Sequence, residues 1–258
     1  MFTLLDLNDE LWTSMKGAYG MVLDTFKDFQ KGEISERNEI LEDLYESISH
    51  QMSFYKATYI VLPHLIKEPL NSDDVKWQIT LISHIGIVVS TYNEFNNCKD
   101  GVDESIIENF ENALKDLIKF TKNFIIDKLE VIKELENLDK EFFAIAVLAI
   151  IGDAALAYAL INCSFSYALL YCRVCETENE DIEEFNEEIE CIKPADSVIG
   201  MWDKKDFSNE YIWFANYLDM LGLDEKVEIT PYYYGTYTCI NCGKVHTVKS
   251  ALNDYFIE

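Results

Sequence analysis

The segment FFAIAVLAIIGDAALAYALI, residues 142–161, decides the fold class. Residues 142–151 carry no charge, and the whole segment has the length of a membrane span. A span needs about 20 apolar residues in succession, but here Gly152-Asp153 stands in the middle. Glycine accepts the left-handed backbone that ends a helix, and an aspartate carboxylate caps the first amide groups of the next one. The segment therefore reads as a tight, buried helical hairpin in a mainly α chain. Its alanines permit the two helices to approach closely.

The same pattern continues upstream. From Asp103 to about Leu138, residues Ile106, Ile107, Phe110, Leu114, Leu117, Ile118 and Ile125 recur at three- and four-residue steps, the period of one helix face. This is one long helix, or two joined near Thr121-Lys122-Asn123. Residues 95–102 form a polar loop. Ser72-Asp73-Asp74 opens a helix to about Tyr92, and Trp77, Ile79, Leu81, Ile82, Ile85, Val88 and Val89 make it central and buried, with His84 packed on it. Residues 53–67 predict a helix that Pro63 kinks or restarts. Residues 36–48, capped by Ser35, and residues 8–19, capped by Asn8, predict two more, with Phe26 and Phe29 anchoring a short element between them. His50 and His64 read as packed, satisfied residues at helix junctions. Residues 1–162 form a helical domain on this reading, and residues 163–258 a C-terminal region packed on it.

Downstream the period changes. Residues 166–171 alternate as a strand and lead into Cys172-Arg173-Val174-Cys175; a second such pair is Cys239-Ile240-Asn241-Cys242. Two Cys-x-x-Cys knuckles supply the four thiolates of a closed structural zinc site, so Cys172, Cys175, Cys239 and Cys242 are the expected ligands. Unmetallated thiols and a mixed site in which His246 replaces a sulfur are the alternatives. Gly243 suits the backbone reversal after the second knuckle, whereas Glu176 occupies that place in the first. Cys98 and Cys163 read as structural, and Cys191 is left open. Residues 176–190 are densely acidic, an exposed hairpin, loop or insertion. Pro194 begins a linker, Ser208 caps the last major helix, and Gly222 ends it. Short strands are expected at residues 227–229, 232–239 and 245–248.

The chain has 258 residues, 49% hydrophobic, with only 10 Gly and 4 Pro, a composition of long helices with a sizeable core. Its formal net charge is -26. Such a field repels nucleic-acid phosphates and anionic lipid, and it attracts basic proteins or imitates a nucleic-acid backbone. The N-terminus lacks the basic and apolar regions of a signal peptide, so seven cysteines point to a reducing, cytoplasmic setting. There is no Gly-rich phosphate loop, no Gly-x-Ser-x-Gly elbow and no His-Glu-x-x-His; the expectation is a non-enzyme.

Leu11-Trp12, Ala18-Tyr19-Gly20, Ser47-Ile48-Ser49-His50-Gln51, the run from Tyr59 to Pro63-His64-Leu65, and the two terminal knuckles together resemble a group of bacterial HEAT-like helical-repeat proteins that close with Cys-x-x-Cys segments. Some members resemble toxin immunity proteins. The resemblance implies an α-α superhelix of antiparallel helix pairs with a small zinc-stapled β element. It also implies a binding protein that neutralises a cognate basic toxin, such as a nuclease, by direct contact. An adaptor or structural role without a toxin is the alternative, and an enzyme on a helical scaffold a further one. This chain departs from the group in its acidity and in lacking proline and glycine around the first knuckle.

Overall fold

The computed structural model describes residues 2–92, 99–163, 168–182 and 190–256. The fold is mainly α, with twelve α-helices and seven short strands among the described residues. The chain divides into two compact units, residues 1–127 and 128–258. This division falls earlier than the expected 162/163 boundary, so the 142–161 hairpin belongs to the second unit.

The first unit opens with a short helix α1 (Leu11–Ser14), a two-stranded ribbon β1 (Lys16–Gly17) and β2 (Gly20–Met21), then α2 (Leu23–Lys31) and α3 (Ile34–Ile48). A 3-10 turn, His50–Met52, leads to α4 (Thr58–Asn71), α5 (Val75–Ser90) and α6 (Glu104–Asp127). Helices pack pairwise, α2 on α3 and α4 on both α5 and α6. Buried aromatic rings tie the pairs together: Trp12 stacks on Phe26 at 5.2 Å, and Phe29 lies 6.2 Å from Trp77. The expected helix over residues 8–19 stops at Ser14. Its continuation is replaced by the ribbon, where a Cβ on Gly17 would collide with the Ser47 carbonyl and the Ala18 amide bonds to that carbonyl at 2.7 Å.

Other helix boundaries shift for local reasons. Glu33, not Ser35, precedes α3, and its amide donates to the Glu36 carboxylate at 3.3 Å. Residues 53–57 stay outside α4, and Pro63 lies within the helix without dividing it, together with Pro69. Burial of nearly the whole of α4 offsets the lost backbone bonds. Asp74 caps α5 as expected, accepting from the Lys76 and Trp77 amides at 3.0 and 3.2 Å. The long helix breaks at Lys128 rather than near residue 122. The expected loop at 95–102 lies partly outside the described residues.

The second unit contains α7 (Leu129–Lys133), α8 (Asn137–Ile151), α9 (Ala154–Cys163), β3 (Ala168–Cys172), β4 (Thr177–Ile182), β5 (Ile192–Lys193), α10 (Glu210–Met220), α11 (Asp224–Tyr233), β6 (Thr236–Thr238), β7 (Val245–Thr247) and α12 (Val248–Phe256). The α8–α9 hairpin turns at Gly152, which is not left-handed as expected (φ -111°) but leaves no room for a Cβ against the Trp213 ring, and the Asp153 carboxylate accepts from the Ala155 and Leu156 amides at 2.9 and 3.0 Å. No helix among the described residues is long and apolar enough to cross a membrane. Antiparallel β3–β4 forms one small sheet and β5-β6-β7 another. Asn209 rather than Ser208 caps α10, accepting from the Ile212 amide at 3.1 Å. Residues 227–229 are helical, within α11; Asp224 and Glu225 favour the positive end of that helix. The expected strand at 232–239 shrinks to β6. Residues 183–189 of the acidic segment and residues 166–167 lie outside the described residues.

Candidate metal centre

Each knuckle is a strand end followed by a tight turn. Cys172 ends β3, Cys175 follows, and β4 begins at Thr177; Cys239 follows β6, and Cys242 precedes β7. Both turns reverse with a left-handed residue just after the second cysteine: Gly243 at φ 69° and Glu176 at φ 51°. The second turn is closed by the Cys239 amide on the Lys244 carbonyl and the Gly243 amide on the Cys239 carbonyl, both at 2.8 Å.

The two knuckles converge. All four sulfurs lie within 4.8 Å of one another. Cys172 Sγ is 3.7 Å from Cys242 Sγ, and Cys175 Sγ is 3.6 Å from Cys239 Sγ. Sulfurs about 2.3 Å from a central ion at tetrahedral angles stand about 3.8 Å apart, a separation these two pairs already have. The structure thus brings together all four expected ligands, an arrangement able to bind a metal. Cys172 and Cys239 are buried, Cys175 half-buried and Cys242 exposed.

The surroundings favour thiolate at Cys239 and oppose it at Cys242. Desolvation raises the Cys239 pKa, but hydrogen bonds from the Cys242 and Asn241 amides and from neighbouring thiols outweigh it and hold the group at about 6. Without an ion, Cys242 is at about 12: the Lys244 amide favours its thiolate, but desolvation and the three neighbouring sulfurs oppose it more strongly. The Asn241 side-chain amide bonds Thr177 Oγ1 at 3.1 Å and so links the knuckles directly. Arg173 Nε reaches Asp254 Oδ1 at 2.8 Å, tying the first knuckle to α12, which packs on β3. Helix α12 is not among the sequence expectations, although Val248, Ala251 and Leu252 give a helical face and Thr247 Oγ1 accepts from the Ser250 amide at 3.1 Å.

The remaining candidates separate. Cys163 is buried and its pKa is pushed up to about 12 by desolvation, an unreactive core thiol. Cys98 lies outside the described residues. His50 does have an acid beside it: Glu46 Oε2 and Tyr19 Oη each lie 2.8 Å from its Nδ1. His84 packs as expected, with Nδ1 2.9 Å from the Thr80 carbonyl oxygen. His64 is buried against Trp12 and Phe26, with the Leu5 backbone carbonyl as a weak polar neighbour of its ring. Desolvation pushes its pKa down to about 4, and the Leu5 carbonyl opposes this only in part.

Comparison with protein-family models, with curated proteins and with solved structures finds no match to this chain.

Proposed function

We propose that this chain is an acidic binding protein whose partner is a basic protein, and that a structural zinc ion on Cys172, Cys175, Cys239 and Cys242 closes its C-terminal element. In its most specific form the reading is an immunity protein that covers the active surface of a cognate toxin. A nuclease toxin fits this form because it must itself attract phosphate. The role given to the ion is architectural, since four sulfurs leave no open position for water.

The observation that supports the binding reading best is the outward edge of α3. Glu36, Glu39, Glu42, Asp43 and Glu46 are all exposed along it. Arg37, the one cation of that helix, is turned to the Gly32 carbonyl and Glu68. Like charges at three- and four-residue spacing cost about 0.2–0.5 kcal/mol per pair, a cost that a basic partner relieves. Tyr19 and Met21, 68% and 65% exposed, stand on the ribbon beside the end of this edge, and Tyr19 is held by His50. Rigid aromatic and Met side chains are suited to anchor an interface, and the negative field steers a basic partner toward it.

The test is co-expression with the product of the neighbouring gene. Protection from its toxicity, with an association rate that falls as salt rises, is the expected result. Glu39→Lys, Asp43→Lys and Glu46→Lys together slow that association. Absence of protection refutes the immunity form, and recovery of a housekeeping complex in a pull-down replaces it with an adaptor. Elemental analysis tests the ion separately: one zinc per chain is expected.

A further inference from the structure

Each sulfur of the cluster has its own polar neighbour, and three of the four find it within the knuckles or their linking contacts. Cys239 receives the Asn241 and Cys242 amides, and Cys242 the Lys244 amide. Cys175 Sγ lies 3.3 Å from the Thr177 hydroxyl. At Cys172 the neighbour is different in kind: Nε2 of His246 stands 3.2 Å from its Sγ.

We propose that His246 is a positioning residue for the metal centre, donating its Nε2–H to the Cys172 thiolate without binding the ion. The inference rests on the metal reading above. Four sulfurs already complete a tetrahedron, so the ring lies outside it, at hydrogen-bond distance from one corner. The ring is fixed for this task. His246 sits on β7 directly opposite Tyr237 of β6, and the two rings stack at 6.2 Å and 24°. The need is electrostatic: a divalent ion with four thiolates keeps excess negative charge, at a buried sulfur, in a chain whose net charge is -26. A donor to sulfur disperses that charge and orients the ligand, the role that outer-shell partners have at metal sites. The same contact sets which ring nitrogen faces the sulfur, Nε2.

The test uses the full chain loaded with cobalt(II), whose thiolate charge-transfer and ligand-field bands distinguish four sulfurs from three sulfurs and one nitrogen. Wild type and His246→Phe are both expected to show four sulfurs, because phenylalanine keeps a ring for Tyr237 but has no donor. Extraction of the ion by a chelator is expected to run about 10–100-fold faster in His246→Phe. His246→Gln, whose amide nitrogen can reach the same sulfur, is expected to restore release close to the wild-type rate. Equal release from wild type and His246→Phe, or no rescue by glutamine, overturns the proposal. A second measurement needs no variant: nitrogen-15 spectra of the cadmium-113-loaded chain should show a protonated Nε2 with no one-bond coupling to the metal. A one-bond coupling makes His246 a ligand and overturns the proposal while leaving a metal centre in place. Less than one ion per wild-type chain overturns the centre and this role together.

Discussion

Replacement of Cys239 by serine tests the centre most severely. Cys239 is 1% exposed, and its sulfur lies against that of Cys175. The ion would cross-link Cys172 to Cys242, 70 positions apart. Closing a loop of that length removes about 4 kcal/mol of chain entropy from the unfolded state. Domains as a rule are stable by only about 5–15 kcal/mol, so the loss would be a large share of what holds residues 128–258. With a urea dependence of about 2 kcal/mol per molar, the unfolding midpoint should fall by about 2 M. Hydrogen exchange with mass-spectrometric detection should locate the change. Protection should drop in β3, β4 and α12, because Arg173–Asp254 and the packing of α12 on β3 depend on the knuckle, and it should hold in α4 and α5. Wild type stripped of metal by a chelator should reproduce the shift, and Cys191→Ala, outside the cluster, should not. An unchanged midpoint in Cys239→Ser, or a stripped wild type as stable as the loaded one, would refute the staple.

Three further outcomes follow from particular residues. Glu176→Gly relieves a left-handed non-glycine backbone, φ 51°, and should raise the unfolding free energy in urea titrations by about 0.5–1 kcal/mol, because the left-handed cost to an L-residue exceeds the added freedom of glycine when unfolded. His64, with its folded pKa depressed to about 4 from 6.5, contributes stability that is complete above about pH 6.5 and is lost as pH falls toward 4, because the unfolded chain binds the proton first. The gap amounts to roughly 3 kcal/mol, so acid titration of thermal stability should be correspondingly shallower in His64→Phe than in wild type. Asp153→Ala removes the cap of α9 and one partner of Lys249, which also pairs with Glu210 at 3.3 Å. Calorimetry should show a loss of about 2 kcal/mol, and a double-mutant cycle with Lys249→Met should assign about 1 kcal/mol of it to the pair.

The legible parts of this fold were those fixed by near neighbours in the chain. Gly152-Asp153 announces the hairpin and Asp74 the start of α5, because a cap satisfies amides two and three residues away. The four cysteines of the cluster were equally plain, because a two-residue spacing already places each pair of sulfurs on one side of a turn. What could not be read was decided at a distance. Gly17 looks like a residue at the end of a helix until the Ser47 carbonyl is brought against it. Val227 and Ile229 alternate as a strand would, yet acidic residues at the first turn and the buried Thr230 and Tyr233 make the segment a helix. Arg173–Asp254 carries no spacing signal at all, and His246, legible as a neighbour of the second knuckle, gives no sign in the sequence that it stands beside Cys172 of the first.

The distance along the chain between the knuckles also imposes an order of events. As the polypeptide leaves the ribosome, Cys172 and Cys175 emerge first and can offer an ion only two thiolates. Cys239 lies 64 positions after Cys175, so about three to thirteen seconds of synthesis at ordinary speed separate the half-site from its completion. Capture of an ion at the proposed centre would then be a closing event, made only once α10, α11, β6 and Cys242 have been produced, with α12 docking against a strand whose far end has just been clasped. A cell short of the ion would accumulate chains formed up to β6 with the last helix undocked, and those chains would be the ones open to proteases.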